Sequence, residues 1–471
     1  MKLVECVPNF SEGRDFTKIK TITNAIKAVD GITVLDVDPG ADTNRTVVTF
    51  VGEPNTVAEA AFQGIKTASE VIDMSQHSGT HPRMGATDVC PFIPVSGVTI
   101  EECIELSKQV GQRVGEELGI PVYLYEKSAQ KPDREKLPTI RKGEYEGLSE
   151  KLKDGNWQPD FGPAKLHVKA GATVMGCREF LIAYNINLNT KDHRLATDIA
   201  FELREAGRSK RSQNPDSKNL LDGEIIRQEN GKPVKVPGMF KDVKGIGWYV
   251  ELFNRAQISI NFNNYKVSTI HDVFDAACKL AEERGIRVTG SELVGLIPLE
   301  AMIMAGKYYL KKQNRSLGVP TADIVECAVQ SLGLNDVTKF DPQEKIIDYA
   351  VQSENRPLMS LTGTGFVKEL STNSPAPGGG SVAALAGALG AALSSMVAAL
   401  THEKKEMLET KPEMDIIGVE AQTLKDRLTF LVDEDTEAFN KVMDANRMAA
   451  TNDNEQKIKD KAVEVANKYA I

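Results

Sequence analysis

Residues 32–52, ITVLDVDPGADTNRTVVTFVG, decide the fold predicted for the first part of the chain. Two apolar runs, 32–37 and 46–52, flank the turn-rich DPGADTN, which is typical of two strands joined by a loop. Apolar residues at helical spacing precede this pair and follow it. The predicted elements are a strand at 3–7, a helix at 15–29, the strands 32–37 and 46–52, a helix at 56–72, a strand at 89–95 and a helix at 99–118. This order, β-α-β-β-α-β with an appended helix, is the split βαβ pattern.

The same order returns in the second third of the chain. The predicted elements are a strand at 180–188, a helix at 192–206, strands at 243–250 and 258–262, a helix at 268–284 and a strand at 286–289. Two similar units in one chain predict paired sheets with a cleft between them, where small ligands usually bind. The predicted class is therefore an α/β (α+β) N-terminal half of two βαββαβ-like subdomains with a cleft between them.

The character of the sequence changes after about residue 355, where alanine-rich helical periodicity begins. Long helices are predicted at 382–400, 412–443 and 453–470, so an all-α C-terminal domain should follow the α/β half. The predicted domains are 1–177 and 178–334 for the two subdomains, 335–355 for a linker and 356–471 for the helical domain, with the boundary near 353–358. The last helix reaches residue 471 without a Gly or Pro stop, which predicts that the helical domain is incomplete.

Composition narrows the class of protein. The chain has 57 basic and 66 acidic residues, and its net charge of −9 argues against a general binder of nucleic acid or anionic membranes. Its six cysteines are scattered without a CxxC pair, which favours reduced, cytoplasmic thiols over a zinc site. Residues 381–400, SVAALAGALGAALSSMVAAL, are long enough to cross a bilayer. Their many small residues favour a helix packed among other helices, and no membrane span is predicted.

The segment 77–95, HSGTHPRMGATDVCPFIPV, holds the candidate catalytic residue. His81 precedes Pro82, so it should lie on a stiff loop and not inside a helix. Imidazole titrates near neutral pH, which suits a general base, although a structural histidine on a solvated loop is an equal alternative. His77 and His81 have the spacing of a helical metal pair, but Gly79 and Pro82 argue against a helix there, and no metal site is predicted.

Several long, irregular blocks occur in the order found in one known family. They are LVECVPNFSEG (3–13), LDVDPGADTNRTVVTFVG (35–52), DMSQHSGTHPRMGATDVCPFIPV (73–95), FGPAKLHVKAGATVMGCREFLIAYNINL (161–188), RVTGSELVGLIP (287–298), SPAPGGGSVAALAGALGAAL (374–393) and LVDEDTEAF (431–439). Through these blocks the whole chain resembles formiminotransferase-cyclodeaminase, a bifunctional folate enzyme family of histidine breakdown. The family's second domain continues beyond the point where this chain ends.

The resemblance implies two activities. The first domain should move a formimino group from N-formimino-L-glutamate to N5 of tetrahydrofolate, and the second should close the product to 5,10-methenyltetrahydrofolate with release of ammonia. It also implies a cytoplasmic homo-oligomer and a preference for polyglutamylated folate. The alternative is a non-catalytic folate-binding or scaffold protein, and a same-family alternative is an intact bifunctional enzyme of which this chain is a fragment.

The resemblance also implies roles for single residues in the transfer. A proton must leave N5 and reach the departing glutamate nitrogen, and His81 matches the family's catalytic histidine. Asp38 is the preferred carboxylate beside the cationic amidine. The less favoured acidic candidates are Asp42 and Asp88.

The substrate's carboxylates need cationic forks, a geometry that arginine provides. Arg45 and Arg83 are the candidates for these forks, and Arg178 is a weaker one.

Two further segments match functional stretches of the family. Backbone should approach the flat pterin closely in the glycine-containing stretch, whose residues are Phe161, Gly162, Pro163, Ala164, Lys165, Leu166, His167, Val168, Lys169, Ala170 and Gly171. For the deaminase, LVDEDTEAF offers Asp433 and Asp435, with Glu434 and Glu437 nearby. The choice between the two aspartates stays open, as does an ordinary solvated acidic helix face.

Overall fold

The computed structural model describes residues 2–41, 43–79, 81–351, 356–449 and 453–469. The chain forms two compact units. The first comprises Met1–Ala301 and Leu334–Gln352, and the second comprises Met302–Gly333 and Ser353–Ile471. The predicted boundary near 353–358 lies partly outside the described residues, and the four predicted domain limits stay predictions.

The elements follow the predicted order in both halves of the first unit. The strands are β1 (Leu3–Cys6), β2 (Asn9–Phe10), β3 (Thr33–Gly40), β4 (Arg45–Gly52), β5 (Thr87–Ser96), β6 (Val122–Glu126), β7 (Thr173–Cys177), β8 (Ile182–Leu188), β9 (Arg208–Ser209), β10 (Lys235–Val236), β11 (Val243–Val250), β12 (Arg255–Phe262) and β13 (Val288–Val294). The helices are α1 (Phe16–Lys27), α2 (Pro54–Val71), α3 (Ile100–Glu117), α4 (Leu137–Arg141), α5 (Leu148–Lys151), α6 (His193–Leu203), α7 (Ile270–Glu283), α8 (Leu299–Lys312), α9 (Thr321–Leu332), α10 (Pro342–Lys345), α11 (Ile347–Val351), α12 (Gly363–Leu370), α13 (Gly379–His402), α14 (Lys411–Arg447) and α15 (Asp453–Tyr469). The predicted fold class, an α/β part followed by a helical domain, is confirmed.

The first sheet has the order β1-β4-β2-β5-β7-β6, with β3 paired to β4 at one edge. Its pairings are antiparallel except those of β7, which runs parallel to both β5 and β6. One face is covered by α1, α2 and α3, and the resulting core includes Phe50, Ile65 and Val114. The opposite face carries a smaller core in which Ile140 and Leu148 pack against Tyr125. This second core fixes α4 and α5 against the sheet.

The local sequence explains where two helices that pack on this sheet begin. Asp15 is the N-cap of α1, where its carboxylate accepts the Thr17 amide at 2.9 Å. Thr99 and Glu102 form a reciprocal capping box at the start of α3. Each cap satisfies backbone donors that the first turn of a helix leaves unpaired. The helix starts at these two positions therefore follow directly from the sequence.

The second sheet has the order β11-β12-β8-β13, with every pairing antiparallel. A buried ion-pair network lies beside it, in which Asp198 accepts from Arg208 at 2.6 Å and from Arg284 at 2.7 Å. Glu202 joins both arginines at the edge of the network. The network ties the segment around β9 to α6 and to the end of α7.

The second unit is helical, and α13 packs along α14. Its small core contains Leu358, Phe366, Ala384 and Val432. By length and composition α13 could cross a membrane, but core helices of soluble proteins meet the same test, so one such helix does not indicate a membrane protein. Small side chains of α13 are buried, whereas the side chains of Leu389 and Leu393 are about 60% exposed.

Candidate active site

His81 is held by two neighbours at the edge of a cavity. Its Nδ1 lies 2.7 Å from the Pro82 carbonyl oxygen, to which it donates, and the guanidinium of Arg45 contacts Nε2. Arg45 Nη1 also lies 3.1 Å from Nδ1, so the guanidinium is beside both ring nitrogens. Because a guanidinium can only donate and Nδ1 faces a carbonyl oxygen, this arrangement favours a neutral imidazole with its lone pair on Nε2. Burial, followed by the charge of Arg45, lowers the pKa of His81 below its ordinary value. The histidine is therefore unprotonated, as a general base must be.

The cavity beside His81 has a volume of about 770 Å³. It lies between the sheet face of the first subdomain, the α4 region and the second subdomain. Its basic lining residues are Arg45, Lys127, Lys136, Arg141, Arg178 and Lys244. Its acidic lining residues are Glu126, Glu135, Glu179 and Asp242. A polar cavity of this size, lined by both signs of charge, suits a small ligand that carries both charges.

An ion pair lies next to His81 and Arg45. The Arg141 guanidinium contacts Asp88, whose side chain is 1% exposed, and the other oxygen of Asp88 accepts the Met84 amide at 2.9 Å. Both oxygens of Asp88 are therefore engaged by neighbours, and its alternative role beside an amidine stays a prediction. Among the described residues, the buried Nε atoms of both Arg45 and Arg141 have no hydrogen-bond partner.

Asp38 lies on the same sheet face as Arg45. Its register partner on β4 is Val47, and residues two apart on a strand share a face. The Asp38 side chain is exposed, does not line the cavity, and makes no hydrogen bond or ion pair within the described residues. Its predicted role stays a prediction, and the alternative Asp42 lies outside the residues that the structure describes.

Arg83 faces away from the His81 cavity. Its guanidinium donates to Glu144 at 3.0 Å, to Glu146 at 2.6 Å and to Nδ1 of His77 at 3.2 Å. His77 in turn donates from Nε2 to the Asn44 carbonyl at 2.9 Å. The hydrogen bonds to Glu146 raise the pKa of Arg83. Its predicted contact with a substrate carboxylate stays a prediction, whereas its visible role is to fix the loop that carries His81.

The predicted folate stretch 161–171 runs outside the cavity. Residues 162–165 are exposed, and the Lys169 and Ala170 carbonyls accept the amides of Met74 and Ala86. Gly171 has a φ of +67°, and a Cβ there would lie 2.2 Å from the Met84 carbonyl oxygen. The stretch supports the His81 loop from behind, and its contact with folate stays a prediction.

The two deaminase candidates differ in their surroundings. The carboxylate of Asp433 accepts the amides of Leu358 at 2.7 Å and Met359 at 3.2 Å, so it caps a turn of the backbone. Asp435 lies 3.1 Å from Ser381 Oγ at the first turn of α13. A Cβ at Gly380 would lie 2.2 Å from Asp435 Oδ1, so only glycine admits the carboxylate there.

The neighbouring acids do not share this environment. Glu437 pairs with Lys441 at 2.7 Å through two exposed side chains, and Glu434 lies 3.6 Å from Arg427. Among the described residues, no group of three or more His, Cys, Asp or Glu side chains could hold a metal ion.

Sequence reasoning missed two charged residues near the cavity. Glu5 is buried on β1, and its burial raises its pKa to about 7 although Arg178 opposes the shift. A glutamate inside the apolar strand LVECV is a visible sequence signal for such a group. Arg141 gives no comparable signal, because only the fold brings α4 to the cavity.

A histidine and several arginines at a charged cavity between two α/β subdomains are typical of an enzyme that acts on a small charged substrate. Family models match three parts of the chain: the formiminotransferase domain's N-terminal subdomain at 3–178, the formiminotransferase domain at 183–352 and formiminotransferase-cyclodeaminase at 362–471. The chain belongs to the formiminotransferase-cyclodeaminase family. It carries the transferase and cyclodeaminase domains of a folate one-carbon enzyme.

Individual relatives agree with this family. A formimidoyltransferase-cyclodeaminase of Dictyostelium discoideum is 49% identical over 409 residues, which span 86% of this chain and 71% of that protein. The protein of the same name in Mus musculus is 46% identical and covers 95% of this chain and 78% of its own length. A glutamate formimidoyltransferase of Streptococcus pyogenes serotype M1 is 41% identical over 66% of this chain and 95% of its own length.

The match at 362–471 shows that the chain carries sequence of the cyclodeaminase domain. The predicted incompleteness of this domain stays a prediction.

Proposed function

We propose that the first unit transfers the formimino group from N-formimino-L-glutamate to N5 of tetrahydrofolate, with His81 as the proton-transfer group. The observation that carries this proposal is the neutral imidazole, held by Arg45 and Pro82 at the wall of the cavity. The family membership supports the substrates, and the geometry supports the role of the histidine.

The chemistry can be followed atom by atom. N5 of the pterin attacks the amidine carbon, and a tetrahedral intermediate forms. His81 Nε2 takes the proton from N5 and then gives it to the glutamate nitrogen, after which the carbon–nitrogen bond breaks and glutamate leaves. A histidine with a lowered pKa suits both steps, because it is neutral at the start and its imidazolium readily gives the proton back.

Arg45 can link substrate binding to the activation of His81. Its Nη1 contacts the same Nε2 that must act as the base. A substrate carboxylate that binds the Arg45 guanidinium would compete with this contact and leave Nε2 free for the N5 proton. Substrate binding and activation of the base are then parts of one event.

Cyclodeamination is assigned to the second unit, with Asp435 as its acid–base group. Ring closure needs a group that moves protons while N10 attacks the formimino carbon and ammonia leaves. Asp433 is occupied by two backbone amides, whereas Asp435 meets Ser381 at the glycine-rich turn before α13. These surroundings support Asp435 over Asp433 as the proposed acid–base group.

The finer features of the family also enter the proposal. Tetrahydrofolate is the co-substrate, its polyglutamylated form is the preferred one, and the enzyme works in the cytoplasm as a homo-oligomer. The resemblance of the motif blocks supports these features. Light scattering of the purified chain tests the oligomer, and kinetics with mono- and pentaglutamyl folate test the preference.

The transfer assay separates this proposal from a non-catalytic folate-binding protein. The wild-type chain should consume N-formimino-L-glutamate only when tetrahydrofolate is present. His81→Asn should lower turnover by roughly 10²- to 10⁴-fold, the usual effect of a positioned proton-transfer group. The control is His193→Asn, since His193 is exposed at the start of α6, outside the cavity. Folate binding without turnover by the wild-type chain would contradict the proposal.

The same preparation tests the deaminase assignment. Methenyltetrahydrofolate formation is followed by its near-ultraviolet absorbance. Asp435→Asn should abolish it while leaving transfer unchanged, and Asp433→Asn should mainly lower the thermal stability of the second unit. If only Asp433→Asn removed the activity of a stable protein, the assignment would be reversed.

A further inference from the structure

Arg141 occupies a fixed position in the cavity that contains His81 and Arg45. It is the last residue of α4, and its neighbour Ile140 is fully buried in the small core on this sheet face. The buried isoleucine anchors the helix, so the Arg141 backbone cannot swing away from the cavity. The side chain of Arg141 is 12% exposed.

The guanidinium of Arg141 is only partly used by the protein. One of its Nη atoms contacts Asp88, whose second oxygen already accepts the Met84 amide. A structural arginine–carboxylate pair commonly uses both oxygens in a fork, and this pair does not form one. Within the described residues, Nη1 makes no hydrogen bond and the buried Nε has no partner.

The direct contacts leave a local excess of one positive charge. Arg45 and Arg141 are two cations beside His81, and the buried Asp88 contacts Arg141. Among the described residues Arg45 has no carboxylate in contact, although acidic side chains line other parts of the cavity, and a half-buried charge without a contacting partner is expensive. A carboxylate with two oxygens would satisfy the free donors and cancel this excess.

We infer that Arg141 and Arg45 together bind one carboxylate of the glutamate part of the substrate, with Asp88 holding Arg141 in place. This inference rests on the proposed transferase function. Arg141 thereby becomes a specificity-determining residue, and Asp88 becomes a positioning residue. Either the α- or the γ-carboxylate of N-formimino-L-glutamate has the required chemistry.

Steady-state kinetics of Arg141→Gln test the inference. The KM for N-formimino-L-glutamate should rise by roughly 10- to 100-fold, the usual effect of losing a hydrogen-bonded charge partner, and the KM for tetrahydrofolate should stay the same. Arg141→Lys should recover part of the loss, because it keeps the charge and loses the fork. The matched control is Arg113→Gln, which removes an ion-paired arginine of α3 outside the cavity.

Two altered substrates identify the carboxylate. N-Formimino-L-glutamine lacks the γ charge, and N-formimino-γ-aminobutyrate lacks the α-carboxylate. The analogue without the carboxylate that Arg141 binds should react poorly with the wild type and no worse with Arg141→Gln. If Arg141→Gln lowered kcat/KM by the same factor for all three substrates, the inference would be overturned.

A double variant separates substrate binding from a structural role. Arg141→Gln leaves Asp88 as a buried unpaired anion, which could weaken the fold by itself. Asp88→Asn with Arg141→Gln removes both charges, so thermal stability should recover while the KM for N-formimino-L-glutamate stays high. Recovery of the KM together with stability would show that Arg141 is only structural. A wild-type chain without any transfer activity would instead refute the proposed function.

Discussion

Glu5 offers a test of the cavity's electrostatics that does not depend on catalysis. Its side chain lies on the sheet face opposite to Val4 and Cys6, which belong to the main core. It is 6% exposed, and burial raises its pKa from 4.5 to about 7. We predict that Glu5→Gln, which keeps the shape and removes the ionisable group, stabilises the first unit at alkaline pH.

The sign and the size follow from proton linkage. The folded chain binds the proton of Glu5 more tightly than the unfolded chain does. Its contribution to stability is therefore complete below pH 4.5 and is lost as the pH rises through 7. The difference between the folded and unfolded pKa values of Glu5 corresponds to about 3 kcal/mol in the free energy of unfolding. The glutamine side chain of the variant carries no proton to lose, so at pH 8 the variant should be more stable by about that amount.

Thermal unfolding at two pH values measures this effect. The midpoint for Glu5→Gln should exceed the wild type only slightly at pH 5, just above the unfolded pKa, and by roughly 5–10 °C at pH 8, given the usual relation between free energy and melting temperature. The control is Glu105→Gln on the exposed side of α3, which should follow the wild type at both pH values. An equal difference between Glu5→Gln and the wild type at pH 5 and pH 8 would refute the burial argument.

Three further predictions concern glycines and His81. Gly380→Ala should abolish methenyltetrahydrofolate formation but not transfer, because its Cβ would lie 2.2 Å from the proposed catalytic carboxylate; Gly379→Ala, with no atom within 4 Å, is the control. Gly171→Ala should lower the free energy of unfolding by more than about 2 kcal/mol, since a close backbone contact adds to the penalty of a positive φ. Position 119 has a positive φ without such a contact, so Gly119→Ala should lower the free energy of unfolding by only about 1 kcal/mol, as measured by urea titration. The acid limb of kcat/KM should lie below pH 6.5, because His81 has a lowered pKa; a limb above that value would contradict its environment.

The fold was largely readable from the sequence because its main elements carry strong local signals. The helix predicted at 15–29 starts with the capping residue Asp15, and the observed helix Phe16–Lys27 begins directly after it. The short strands β2, β6 and β7 were missed, since two to five residues give too little periodicity. Their pairing partners lie far away in the chain, and only the assembled sheet defines them.

The site was less predictable, for a related reason. Arg45 and Arg83 carry the same chemistry and both occur in motif blocks, so the sequence cannot rank them. The structure separates them through Glu144 and Glu146, which saturate Arg83 from about 60 residues further along the chain. Arg141 enters the cavity by the same kind of long-range packing. Local patterns predict which side chains are available, and tertiary contacts determine which of them remain free to bind a substrate.

In the proposed transfer one histidine serves twice, and the charges around the cavity offer a physical reason. Before substrate binds, burial and then the charge of Arg45 disfavour the imidazolium form of His81, which keeps Nε2 ready to accept a proton. A carboxylate bound by Arg45 and Arg141 would cancel much of that positive field. The imidazolium formed after N5 deprotonation is then less destabilised, so it survives long enough to protonate the departing nitrogen. In the proposed mechanism the substrate brings the negative charge that converts a resting base into a working acid, so a substrate without that charge should bind weakly and also react slowly.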